Sequence, residues 1–275
     1  MNHTVDSPVI AGRFDGWPRP QRLACARQLA AALGALFGPA LALPADLPAD
    51  WPGLQARLAA ALEAHRGPRA FLLAALGGTA GRPAAQLVAD LAEILFIPRH
   101  QRSHYADHRE PWPPWDMRRL LLEYALALER IERLQDALTK PYCAERCSRA
   151  PVGCCSVLGY DMGVVPERML ELQEMEALAA GWQPPMIEID CRYHTDSGCA
   201  LRLFKSPACC GTLCDELQDW LRRSRPAALI EPWLAAMARF RNCPLDRERI
   251  FDAMAEARRT GERLLAAGAS PWTPR

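Results

Sequence analysis

A length of 275 residues and a hydrophobic content of 50% suffice for one large domain or two ordinary ones with a substantial core. The 33 Lys and Arg residues nearly balance the 32 Asp and Glu residues, so the net charge is +1. This balance argues against a general polyanion binder and predicts no nucleic-acid partner.

The N-terminal 140 residues are predicted to be helical, because apolar residues recur at helical spacing between Pro and Gly breaks. The predicted helices lie at residues 20–38, 53–67, 69–78, 82–98 and 114–140. The last of these has the clearest stripe of Leu, Tyr and Ile opposite Arg and Glu. The composition changes at Lys140 and Pro141, which predicts a helical region over residues 1–140.

One apolar run in this region, "LAAALGALFGPALALPA" (29–45), is a candidate signal or membrane segment. It is shorter than the roughly 20 residues that span a bilayer, and Gly34, Gly38 and Pro39 interrupt it. Some 28 residues precede it, whereas a secretory signal starts near the N-terminus with a short basic region. We interpret it as a buried helix. The sequence therefore predicts no membrane partner and a cytoplasmic location.

Helical periodicity fades between residues 141 and 222, where cysteine becomes frequent. A helix starting at Pro166 and short strands at residues 186–190 and 200–204 are predicted there. Amphipathic helices return over residues 214–224, 226–240 and 246–268. The predicted fold class is mainly α, a helical body with a small irregular α+β cysteine-rich metal-binding module at residues 141–222. The C-terminal helices of residues 223–275 are expected to pack on the body.

Nine of the eleven cysteines fall within 72 residues of this module. They are Cys143, Cys147, Cys154, Cys155, Cys191, Cys199, Cys209, Cys210 and Cys214. A disulfide framework is unexpected in a reducing compartment, and adjacent cysteines rarely bridge each other. Thiolates at short spacing suit zinc, iron or an iron–sulfur cluster. We therefore predict that the nine are metal ligands, whereas Cys25 and Cys243 are expected to be inert thiols.

The segment "CAERCSRAPVGCC" (143–155), the following "GYDMGVVPERMLEL" (159–172) and "CRYHTDSGCALRLFKSPACCGTLC" (191–214) resemble the cysteine-cluster family of the YkgJ type. In that family, a cysteine group ending in a pair precedes an extended segment and a helix. A turn containing Gly-x-Cys follows, and here the adjacent residues Gly198 and Cys199 stand at the turn. The resemblance covers about 80 residues and implies a module that chelates zinc or iron.

The sequence departs from the family pattern at three places. The first cysteine gaps are longer, Lys205-Ser206-Pro207 replaces an Arg-Pro step, and the usual arginine and aromatic residue before Cys214 are missing. Either Cys209 or Cys210 then matches the penultimate cysteine of the family, and the spacing to Cys214 favours Cys209.

The leading functional prediction is a cytosolic protein that chelates zinc or iron, with the metal in a structural or sensing role. The alternative is an iron–sulfur redox protein or enzyme, because similar clusters occur in a flagellin lysine methylase and leave a methyltransferase association open. The sequence has no nucleotide-binding fingerprint and no catalytic constellation, so enzymatic activity stays undecided. A third interpretation makes the helical surface a scaffold for a protein partner.

Several histidines are weaker candidates. His100, His104 and His108 would share one helix face, but the glutamate of a zinc protease motif is absent, which favours a polar connector over a second metal site. His194 is an alternative ligand near Cys191, or a solvated turn residue. The glycine-rich "GGTAGR" (77–82) lacks the Gly-Lys-Ser/Thr of a phosphate loop and is interpreted as a helix-ending turn.

Overall fold

The computed structural model describes residues 8–76, 83–101, 117–146, 167–183, 191–195, 198–243 and 249–267. These residues form eleven α-helices and one two-stranded sheet, which confirms the mainly α class. The chain divides into two compact units, Met1–Leu126 and Ala127–Arg275. The predicted domain boundaries near residues 140 and 222 stay predictions. No helix in the described ranges is long and apolar enough to cross a membrane.

The first unit is built from helices that largely match the predicted segments. They are α1 (Pro8–Gly16), α2 (Arg19–Phe37), α3 (Trp51–Ala64), α4 (Phe71–Leu76), α5 (Pro83–Phe96) and the start of α6 (Met117–Arg146), with a 3₁₀ turn at Arg99–Gln101. Helix α3 starts after Asp50, whose carboxylate accepts a hydrogen bond from the Gly53 amide at 2.8 Å. Helix α1 was not among the predicted elements.

Helix α5 lies at the centre of the first unit, where α1, α2, α3 and α4 all pack against it. Two of its acidic side chains, Asp90 and Glu93, are fully buried among apolar neighbours. Both pair with the Arg119 guanidinium of α6, at 2.7 Å and 2.9 Å, and Asp90 also lies 3.0 Å from Arg118. Burial of the carboxylates is therefore offset by guanidinium groups that enter the same core.

The second unit contains the remaining elements. They are the later part of α6, α7 (Glu167–Ala179), α8 (Pro207–Gly211), α9 (Asp215–Ser224), α10 (Ala227–Arg241) and α11 (Arg249–Ala267), with strands β1 (His194–Thr195) and β2 (Gly198–Cys199). Helix α10 packs against α8, α9 and α11 and buries Trp233 and Phe240. The last three helices confirm the amphipathic segments predicted there.

Helix α6 is longer than predicted. We expected it to end at Lys140, but it continues through Pro141 to Arg146. Proline removes one backbone hydrogen bond and disfavours the turn before it. The Tyr142 ring next to it is buried and lies 5.4 Å from the Trp220 ring of α9, so packing offsets this cost.

The strand predicted at residues 200–204 is wrong. The sheet ends at Cys199, and the following residues form bends. The backbone N–H groups of Arg202, Leu203 and Phe204 donate to the side chain of Glu176 instead of to a neighbouring strand. The strand predicted at residues 186–190 lies outside the described residues.

Gly211 is expected to tolerate no larger side chain. A Cβ atom there would lie 2.6 Å from Arg241 Cβ, 2.7 Å from its Cα and 2.8 Å from its backbone nitrogen. Since α10 would have to move, we expect Gly211→Ala to lower the free energy of unfolding by about 1–3 kcal/mol in chemical denaturation. Gly34→Ala is the control, because nothing lies within 4 Å of its added Cβ. Equal stability of the two variants would contradict this packing.

Candidate metal centre

The hairpin of β1 and β2 places two of the predicted cysteines near each other. His194 pairs with Cys199 and Thr195 with Gly198, and the Ala200 amide donates to the Tyr193 carbonyl at 2.9 Å. Gly198 has a φ of 114°, a backbone conformation that favours glycine, in agreement with the predicted turn. The hairpin thereby returns the chain beside Cys191.

An apolar cluster of the second unit surrounds this pair of thiols. Cys191 is buried with Ala177, Tyr193 and Leu201, and the half-buried Cys199 and Trp182 pack against them. The indole N–H of Trp182 donates to the Arg192 carbonyl at 2.8 Å, which ties the end of α7 to the hairpin. The thiols therefore lie in a setting with little water.

The segment after the hairpin is held by α7. The buried carboxylate of Glu176 accepts hydrogen bonds from the amides of residues 202–204 at 3.1–3.2 Å. Gln173 of the same helix donates from Nε2 to the Phe204 carbonyl at 2.6 Å. These hydrogen bonds satisfy backbone groups that are not paired with a neighbouring strand. The chain then continues into α8.

Helix α8 carries the adjacent pair Cys209 and Cys210. Ser206 caps it, since its hydroxyl accepts a hydrogen bond from the Cys209 amide at 3.1 Å, and Pro207 occupies the first turn. Cys210 is buried, whereas Cys209 keeps partial exposure. The cap fixes the start of α8 and therefore the positions of the Cys209 and Cys210 thiols.

The electrostatics show which thiols have been brought together. Burial, with smaller contributions from the thiols of Cys191 and Cys209, raises the pKa of the Cys199 thiol to about 12. Burial also raises the pKa of Cys209, with a contribution from Cys191. Three of the predicted ligands, Cys191, Cys199 and Cys209, are thus near enough to affect one another's ionisation; we call them the thiol group.

Lys205 lies beside the thiol group. Burial lowers its pKa, but the charge of Glu132 and the neighbouring thiols outweigh this effect and leave the pKa raised. Its ammonium forms an ion pair with Glu132 of α6 and favours the thiolate forms of Cys199 and Cys209. A half-buried cation therefore accompanies a set of thiols that would become anionic on metal binding.

The raised thiol pKa values predict that metal-free protein loses stability in alkaline solution. The Cys199 thiol ionises near 9 when unfolded but near 12 when folded, so its stabilising contribution is present below about pH 9 and is lost as pH rises toward 12. Where the thiol of the unfolded chain is ionised, each such buried thiol should add about 1.4 kcal/mol per pH unit to the decline in the free energy of unfolding. Denaturant unfolding with chelator between pH 8 and 10.5 should show a shallower decline in Cys199→Ser. Identical slopes would contradict the prediction.

The other predicted ligands lie elsewhere in the second unit or outside the described residues. Cys143 is half-buried near the end of α6, and Cys214 is the half-buried residue that precedes α9. Cys147, Cys154 and Cys155 lie outside the described residues. In the described part of the chain, no three His, Cys, Asp or Glu side chains converge closely enough to hold a metal ion. None of the eight described cysteines forms a disulfide.

The histidine predictions receive little evidence. His104 and His108 lie outside the described residues, as does the glycine-rich turn at residues 77–82, and only the backbone of His100 is described. His194 is half-buried in β1. Cys25 is buried in α2, as an inert core thiol would be.

Sequence reasoning missed Glu176 of α7 and Glu132 of α6, and also Gln135 of α6, whose Oε1 lies 3.4 Å from the Cys210 sulfur. Nothing distinguishes them from the other acidic and amide residues of those helices. Lys205 did leave a signal, because it is one of only two lysines among 33 basic residues and lies within the cysteine module.

Comparison with known proteins provides no relatives: no family model, curated protein or solved structure matches this chain.

Proposed function

We propose that this protein binds zinc or iron through thiolates of its cysteine module. The observation that carries the proposal is the proximity of Cys191, Cys199 and Cys209 beside the half-buried ammonium of Lys205. Their donor chemistry suits a soft metal ion. The described residues alone do not complete a coordination shell, so the proposal requires further ligands from the remaining cysteines of the module.

The ionisation of the thiol group supports this function. Without metal, burial keeps the thiols of Cys199 and Cys209 protonated, because isolated thiolates would be costly in an apolar setting. A metal cation offsets that cost, and each thiol that ligates it releases its proton. Four thiolates around zinc would form a closed site with a structural role. The cysteine-rich sequence also has little apolar periodicity of its own, so metal binding would contribute to its folding.

Elemental analysis and an absorption spectrum of protein purified without oxygen test the proposal. One or two zinc ions per chain and no colour would support a thiolate site with a structural or binding role. Iron with acid-labile sulfide and a broad visible band would instead support the iron–sulfur alternative, and with it a redox or enzymatic role. Protein without metal after reconstitution under reducing conditions would contradict both.

Single variants connect the metal to the thiol group. Cys199→Ser and Cys209→Ser should each lower the metal bound per chain, because serine is a poor ligand for these ions. Cys25→Ser is the control, since Cys25 is buried in α2 of the first unit. Unchanged metal content in both module variants would contradict the assignment. A reducing compartment, as in the cytosol, would keep such thiols available, and we propose that location.

A further inference from the structure

Cys209 and Cys210 are neighbours in sequence but meet different surroundings. Successive residues of a helix point about 100° apart, so α8 separates the two side chains. Cys209 is close enough to Cys191 for the two thiols to interact electrostatically. The Cys210 sulfur instead lies 3.2 Å from Glu132 Oε1 and 3.4 Å from Gln135 Oε1, both on α6. Its one S–H proton can be donated to either oxygen.

The same glutamate anchors Lys205. Its Oε2 forms the ion pair with the Lys205 ammonium, while its Oε1 is the oxygen near Cys210. The side chains of Glu132 and Lys205 are 8% and 16% exposed, so solvent screens the pair little. Their contact holds the ammonium where its charge reaches Cys199 and Cys209 as well as Cys210.

We propose that Cys209 is the metal ligand of the adjacent pair and that Lys205, anchored on Glu132, is a positioning residue that offsets the negative charge of the metal-bound thiolates. This inference rests on the proposed function and divides the predicted ligands by role. Cys210 is a structural thiol that joins α8 to α6. A divalent ion with four thiolates carries a net charge of −2, and burying that charge costs less beside an ammonium.

Cobalt(II), a coloured substitute for zinc, tests the ligand assignment in the full-length protein. The intensity of its thiolate charge-transfer band reports how many sulfur atoms bind the ion. Cys209→Ser should lower this intensity per bound cobalt, whereas Cys210→Ser should leave it unchanged, because serine can keep the hydrogen bond to α6. Equal loss in both variants would overturn the assignment. If the wild-type chain takes up neither cobalt nor zinc, the proposed function itself fails, and the inference fails with it.

Chelator competition for zinc tests the role of Lys205. Lys205→Met should weaken zinc binding by about 10–100-fold, as expected for a partner outside the ligand shell. That variant also strands the Glu132 charge, so Lys205→Met combined with Glu132→Gln removes both charges and restores stability. We expect zinc binding to stay weak in the double variant. Wild-type affinity there would show that Lys205 only neutralises Glu132, and would overturn this part of the inference.

Discussion

Replacing Glu176 with alanine should lower the free energy of unfolding of the second unit by about 3 kcal/mol or more. Its carboxylate is the acceptor for the amides of Arg202, Leu203 and Phe204. A buried N–H group without a partner costs about 1–3 kcal/mol, and this substitution strands up to three. Denaturant unfolding measures the loss, and hydrogen exchange should show reduced protection of these three amides.

Glu174→Ala is the matched control for this prediction. Glu174 belongs to the same helix, but its side chain is 52% exposed and pairs at 3.0 Å with Arg192. A surface pair of this kind contributes about 0–1 kcal/mol. Glu176→Gln should fall between the two variants, because the amide keeps one acceptor oxygen. Similar losses for Glu174→Ala and Glu176→Ala would show that the carboxylate does not hold this segment.

Replacing Arg119 with methionine should lower the free energy of unfolding of the first unit by about 3–5 kcal/mol. The guanidinium of Arg119 contacts Asp90 at 2.7 Å and Glu93 at 2.9 Å, and both carboxylates are fully buried. Without Arg119, the core must hold less compensated negative charge or take up a proton. Hydrogen exchange of the α5 amides reports this unit separately, since two units need not unfold together.

Arg57→Met provides the comparison. Arg57 pairs with Asp46 at 2.6 Å, but both side chains are more than half exposed, and we expect no measurable change in α5 exchange. Arg119→Met combined with Glu93→Gln should recover part of the loss, because it removes one stranded charge. If Arg119→Met were as stable as Arg57→Met, the buried network would not be a main source of stability.

The sequence by itself determined most of the helices. The spacing of their apolar residues and the Pro or Gly residues at their ends are local signals, which depend only on residues within one turn of each other. It also identified a thiol-rich module, since cysteine density is visible without any contact. The end of α6 was misplaced because Pro141 is a local signal, whereas the packing of Tyr142 on Trp220 comes from a helix far along the chain.

Only the tertiary structure decided what surrounds the thiols. The alternating segment at residues 200–204 resembles a strand in sequence, but its amides donate to Glu176, about 26 residues earlier. Likewise, nothing in the local sequence distinguishes the adjacent Cys209 and Cys210. Their surroundings differ because Glu132 of α6, far away in sequence, contacts Cys210. Hydrogen bonds and charges act over a few ångströms in space, and sequence periodicity does not report which distant side chains folding brings within that range.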